Sequence, residues 1–168
     1  MRTGRWSGNN AQRRLLRITW LTSNGGLRQD MSSFLSFVSK TSDNSIAPDV
    51  VEEASRCLDQ FTEAFNSLNL AGMDAQLHFP HVMISGSETL HWDGPNQHPS
   101  DFFLRLKETG WASTRYESKV PVLVSESKVH FLVTYTRRSD SDVELSRHTN
   151  LWIVVKQNNV WGISLRSY

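Results

Sequence analysis

The sequence holds a single cysteine, Cys57, among 168 residues. That excludes an internal disulfide and any cysteine-rich metal knuckle, and it fits a reducing compartment. No apolar run approaches the roughly 20 residues that a membrane-spanning helix needs, so no membrane association is expected. There is no phosphate-cradling glycine loop, no Gly-x-Ser-x-Gly elbow and no cysteine cluster. Nucleotide-driven, hydrolase and iron–sulfur chemistry are therefore excluded. No two of the six histidines stand at a helical i, i+4 spacing. His91 and His98 bracket Trp92, Asp93 and Pro95 without a supporting third ligand, so neither a metal nor another cofactor is expected.

Acids are almost missing from one end. Residues 1–30 carry Arg2, Arg5, Arg13, Arg14, Arg17 and Arg28 against Asp30 alone, so the formal charge of +1 divides into a basic segment and a remainder with 12 basic and 16 acidic groups. Three readings of the basic segment stay open: a disordered leader ahead of a start at Met31, an organellar (mitochondrial) presequence, and an arm for nucleic acid. No lysine-rich or aromatic-interleaved surface follows to extend such an arm, so no nucleic-acid partner is expected. Residues 1–47 read as an arginine-rich leader and Ser-rich connector, disordered, and 48–168 as one domain. The expected location is the cytoplasm, or an organelle if the presequence is genuine.

What is present is ordered by periodicity. Val51, Ala54, Leu58, Phe61, Phe65 and Leu68 recur at three- and four-residue spacing and predict an amphipathic helix over about 49–69, opened by an Asp49/Glu52 capping box. Met73 to His78 predicts a further short helix before Pro80. Val82–Ser85 and Thr89–Trp92 flank Gly86 as a hairpin. Ser100 predicts a cap for a helix over 101–108, with Phe102, Phe103 and Leu106 facing inward and Gly110 at its end. Four extended stretches close the chain, at 116–124, 128–137, 144–156 and 160–167, separated by Ser-, Asp- and Asn-rich turns. Val129, Phe131, Val133 and Tyr135 alternate with polar positions and should meet the helices. Helices followed by a meander indicate an α+β domain with helices on one face of a curved antiparallel sheet.

In that order, Leu77-His78-Phe79-Pro80-His81-Val82-Met83-Ile84, Gly110-Trp111, Lys128-Val129-His130-Phe131 and the segment from Val160 to Ser167 resemble the nuclear transport factor 2-like superfamily. The likeness is to its SnoaL-like and ketosteroid-isomerase-like members, and it covers about residues 49–168. It implies a cone-shaped, cystatin-like fold with a long N-terminal helix, two shorter helices and a mostly apolar pocket, in a homodimer formed through the sheet. The carboxylate base and tyrosine donor of the ketosteroid-isomerase-like members are replaced here by Pro80-His81 and by Phe61 or Phe65. Asn150 or a neighbour stands where those members have a late-strand aspartate. Carboxylate-driven enolisation is therefore not expected.

Three functions are compatible with these residues. The first is binding of an apolar or aromatic small molecule in the pocket, with Trp92, Trp111, Tyr135, His148 and Asn150 as candidate lining. The second is a cofactor-free isomerase, dehydratase or cyclase with His81 as general base, since an imidazole titrates near neutrality. The third is a dimeric interaction module without catalysis. His78 is expected on the short helix, Trp161 in the core, Arg137-Arg138 at a solvated turn, and Arg166 against a carboxylate at the sheet surface or dimer interface. Cys57 is expected to be an inert buried thiol.

Overall fold

The structure, a computed structural model, describes residues 48–168 together with Phe34, Ser36 and Val38, which are helical. The reading of 1–47 as leader and connector lies otherwise outside the described residues. The chain divides into two compact units at Ser39/Lys40, and the second unit holds the helices and strands of the folded domain.

The long helix, α1 (Pro48–Asn66), buries Ala54, Cys57, Leu58 and Phe61 and leaves Glu52, Asp59 and Glu63 exposed. It starts one residue before the expected cap. Asp49 lies within its first turn and accepts from the Val50 amide, while Glu52 faces Arg56 one turn on, so no capping box forms. It also stops before Leu68, which adopts a positive φ of 56° and is exposed. Asn69 accounts for this end, because its side chain accepts from the Gly72 amide and caps the next helix, α2 (Leu70–Asp74). That helix ends four residues before His78, which belongs to a strand.

The strands are β1 (Leu77–Ser85), β2 (Glu88–Trp92), β3 (Ser113–Ser125), β4 (Lys128–Arg138), β5 (Glu144–Gln157) and β6 (Val160–Ser167). They form one sheet in the order β2-β1-β6-β5-β4-β3. Neighbours are antiparallel except β1 and β6, which run parallel. Register shifts in β3/β4 and β5/β6 mark bulges, which bend a sheet and sharpen its twist. The third helix, α3 (Phe102–Glu108), is capped at Asp101, not Ser100, and the Asp101 carboxylate engages Arg105 instead of the helix amides.

The expected inward set on β4 is buried, and Val129, Phe131, Val133 and Tyr135 join Ala54, Leu58 and Phe61 of α1 in one core with Trp152, Val154 and Ile163. The domain is α+β, with its helices against one face of a curved six-stranded sheet. No helix among the described residues is long and apolar enough to cross a membrane.

Candidate functional site

Between α1, α3 and the helix-covered face of the sheet lies a cavity of about 370 Å³. Its walls are aromatic: Phe61 and Phe65 from α1, Trp92 from the end of β2, Phe102 from α3, Tyr116 from β3, Tyr135 from β4 and Trp152 from β5. The rings meet edge to face, with Phe61 on Trp152 at 5.5 Å between centroids and Phe65 on Phe102 at 5.9 Å, an arrangement favoured by the ring quadrupoles. Tyr116 is held by donating its hydroxyl to the Leu58 carbonyl at 3.1 Å, and burial raises its pKa.

One cation interrupts this wall. Met83, Arg166, Trp152 and Phe131 are aligned across β1, β6, β5 and β4, so Arg166 stands mid-sheet with its side chain on the cavity face. It is 6% exposed. Its guanidinium carbon lies 5.2 Å from the Phe61 ring, 5.5 Å from Trp152 and 5.9 Å from Tyr168. Nε donates to His81 Nε2 at 3.0 Å and Nη2 to Met83 Sδ at 3.0 Å. The expectation of a carboxylate partner at the sheet surface is thereby corrected. Among the described residues Arg166 makes no ion pair, and it points inward because of a bulge. Trp152 pairs with Arg166 and Val154 with Ile163, so Ser164 is the extra residue that brings Ile163 and Arg166 to the same face.

His81 has no exposed surface. Its Nδ1 contacts the Ile163 carbonyl oxygen at 2.9 Å, and a carbonyl can only accept, so Nδ1 carries the hydrogen and Nε2 presents its lone pair to Arg166. Burial foremost, then the nearby Arg166 charge, pushes its pKa down to about 4. Both ring nitrogens are occupied, and His81 does not line the cavity.

The other expected residues divide. Trp92 and Tyr135 line the cavity, whereas Trp111 stands behind it, packed edge-on against Phe65 at 5.3 Å with its indole N–H donated to Thr114. His148, Asn150 and Trp152 share the inward face as their alternation requires, paired with Tyr135, Val133 and Phe131. Of these three only Trp152 reaches the cavity. His148 stacks on Tyr135 at 5.0 Å, and Asn150 Nδ2 donates to the Tyr135 hydroxyl oxygen at 3.4 Å, so both brace that ring. His78 lies on β1, its Nε2 3.0 Å from the Val155 carbonyl oxygen. Trp161 is half-buried against the core and donates to Glu53. Arg137, expected at a solvated turn, borders the cavity, and its Nε is buried without a partner. Burial holds the Cys57 thiol at about 12, as an inert group would be.

Asp74 escaped the sequence reading, and His98 was weighed there only as a metal ligand. Asp74, at the end of α2, is buried and accepts from the Asn96 amide at 2.7 Å. Its Oδ1 lies 3.4 Å from His98 Nε2, at an angle short of a hydrogen bond, and neither atom has another partner. His98 lines the cavity against Trp92 at 4.4 Å, and burial lowers its pKa although Asp74 opposes the shift. A neutral imidazole backed by a carboxylate can take a proton from a molecule in the cavity. Among the described residues no three His, Cys, Asp or Glu side chains gather as a metal site.

A family model described as NTF2-like protein (DUF6841) matches residues 52–165. Similar solved structures include a protein of unknown function with a cystatin-like fold from Nostoc punctiforme, 12% identical, covering 73% of this chain and 91% of that one, with a TM-score of 0.59. Others are a ketosteroid isomerase-like protein from Erwinia carotovora (15% identical, 72% and 95% covered, TM-score 0.52) and an NTF2-like protein with a cystatin-like fold from Novosphingobium aromaticivorans (11%, 83% and 89%, 0.55). At such identities the likeness is one of fold alone. No curated protein matches the sequence.

Proposed function

The chain belongs to the NTF2-like family DUF6841, and from that premise we propose that it binds an apolar or aromatic small molecule in the cavity between its helices and sheet. The observation that carries this is the aromatic cavity itself. About 370 Å³ falls within the ~300–1,000 Å³ typical of small-molecule sites, and rings supply most of its wall. One fold hosts many chemistries, so the site and not the family supports this reading. His81 enters it as a positioning residue for Arg166 and not as a base, since neither nitrogen is open to a substrate proton. A cytoplasmic setting goes with a lone buried thiol.

The sheet face opposite the helices supports a second role beside binding. Val120, Leu132 and Leu151 are aligned across β3, β4 and β5, with Val120 48% and Leu132 41% exposed. We assign this apolar row to a homodimer interface.

The test of ligand binding uses the uncharged fluorophore N-phenyl-1-naphthylamine, which brightens in apolar surroundings. Saturable binding is expected, and Met83→Trp, which fills the cavity from β1, should abolish it. Binding that survives Met83→Trp, or none in the unaltered protein, refutes the reading.

A further inference from the structure

We propose that the occupant is an organic anion: an apolar or aromatic molecule whose carboxylate or sulfonate sits on the guanidinium of Arg166. This rests on the cavity being the ligand site.

An arginine stays protonated at any physiological pH, and a buried cation is costly unless an anion or good acceptors compensate it. Arg166 is 6% exposed, yet its partners among the described residues are an imidazole lone pair and a thioether, both neutral. Of the five N–H donors of a guanidinium, these use two. The remaining three, on Nη1 and Nη2, suit a forked oxygen pair. The rings of Phe61, Trp152 and Tyr168 surround the group without consuming those donors.

The cavity's charge agrees. Among the described residues Arg166 and Arg137 border it and no Asp or Glu does, although the chain after residue 30 has more acids than bases. Among the same residues Arg137 Nε is buried without a partner. Because Asn150 donates to the Tyr135 oxygen, that bond leaves the Tyr135 hydroxyl hydrogen unused. The tautomer of His81 points the same way. With Nδ1–H tied to Ile163, its Nε2 can only accept from Arg166, which holds the guanidinium in place without neutralising it.

The test compares 8-anilinonaphthalene-1-sulfonate with N-phenyl-1-naphthylamine, which shares its aromatic frame and lacks the anion. The unaltered protein is expected to bind the sulfonate at least about tenfold more tightly, the effect of one charge-assisted hydrogen-bonded pair. Arg166→Met, similar in length and apolar, should cost the sulfonate at least about tenfold more affinity than the amine. Arg166→Lys, which keeps the charge and loses the fork, should retain part of the preference. Equal affinity for the two probes in the unaltered protein overturns the anion assignment and leaves the cavity reading intact. Equal loss of both in Arg166→Met also overturns it, by showing that the arginine only supports the cavity. If neither probe binds, the cavity reading fails and the anion assignment falls with it. Should Arg166→Met not fold, the probe ratio in the unaltered protein and in Arg166→Lys decides.

Discussion

The His81–Arg166 pair makes a measurable claim about stability and pH. Folding carries the His81 imidazole from water, where it titrates near 6.5, to a site where its pKa is about 4. A pKa depressed in the folded state means that the unfolded chain binds the extra proton first as the pH falls. The stabilising effect of a neutral His81 is therefore fully present above about pH 6.5 and is lost progressively towards pH 4. Integrated from pH 7.5 to 4.5, the linkage amounts to about 2–3 kcal/mol. His98, His130 and His148 are depressed in the same direction by burial, and Glu53 and Glu117 are depressed by hydrogen bonds. They must be removed by difference. The variant is His81→Gln, which has no titrating proton and whose side-chain oxygen can accept from Arg166. Urea unfolding of both proteins at pH 7.5 and 4.5 should show the unaltered protein losing about 2–3 kcal/mol more than the variant between the two pH values. With a urea slope of ~1–3 kcal/mol per molar, that is a relative midpoint shift of roughly 1–3 M. Parallel losses would mean that His81 protonates freely in the folded state, and the lock on Arg166 would be refuted along with it.

Gly162→Ala should destabilise by about 1–3 kcal/mol, because a Cβ there would lie 2.7 Å from three atoms of the His78 ring, which cannot retreat while its Nε2 contacts the Val155 and Val160 carbonyls. Thermal unfolding reads this, and an unchanged midpoint would show that the β1/β6 contact is loose enough to yield. Leu132→Lys, on the exposed face of β4, is expected to convert dimers to monomers in sedimentation equilibrium while leaving cavity binding of the naphthylamine intact. A monomeric unaltered protein, or a variant that still dimerises, removes this face from consideration.

The fold was legible because its strong signals are local. The 3.6-residue spacing from Val51 to Phe65 and the two-residue alternation from Val129 to Tyr135 each commit a whole face to burial, and the sheet then has only one side for the helices. The site was less legible because a central determinant is a departure from periodicity. Counted by twos from Ile163, Arg166 belongs on the outside; only the extra residue at Ser164, whose position is set by pairing with β5, turns it inward. The short helix went astray for a related reason. Met73 to His78 contains too few residues to distinguish one helical turn from the start of a strand, and the Asn69 cap that places α2 earlier acts through a side-chain hydrogen bond. Asp74 and His98 lie on separate elements that only the fold brings together.

These placements also divide the labour within the cavity. His81, the titratable group in the most suggestive sequence position, is spent on orienting a cation, with one nitrogen on backbone and the other on Arg166. His98 is the histidine that faces the cavity, and the buried carboxylate of Asp74 lies beside it. A molecule anchored by an anionic end at Arg166 would lie along Trp152 and Phe61 within the same cavity that His98 borders. The anion's anchor comes from β6 and the cavity's imidazole from the segment between β2 and α3, so the two can be altered independently.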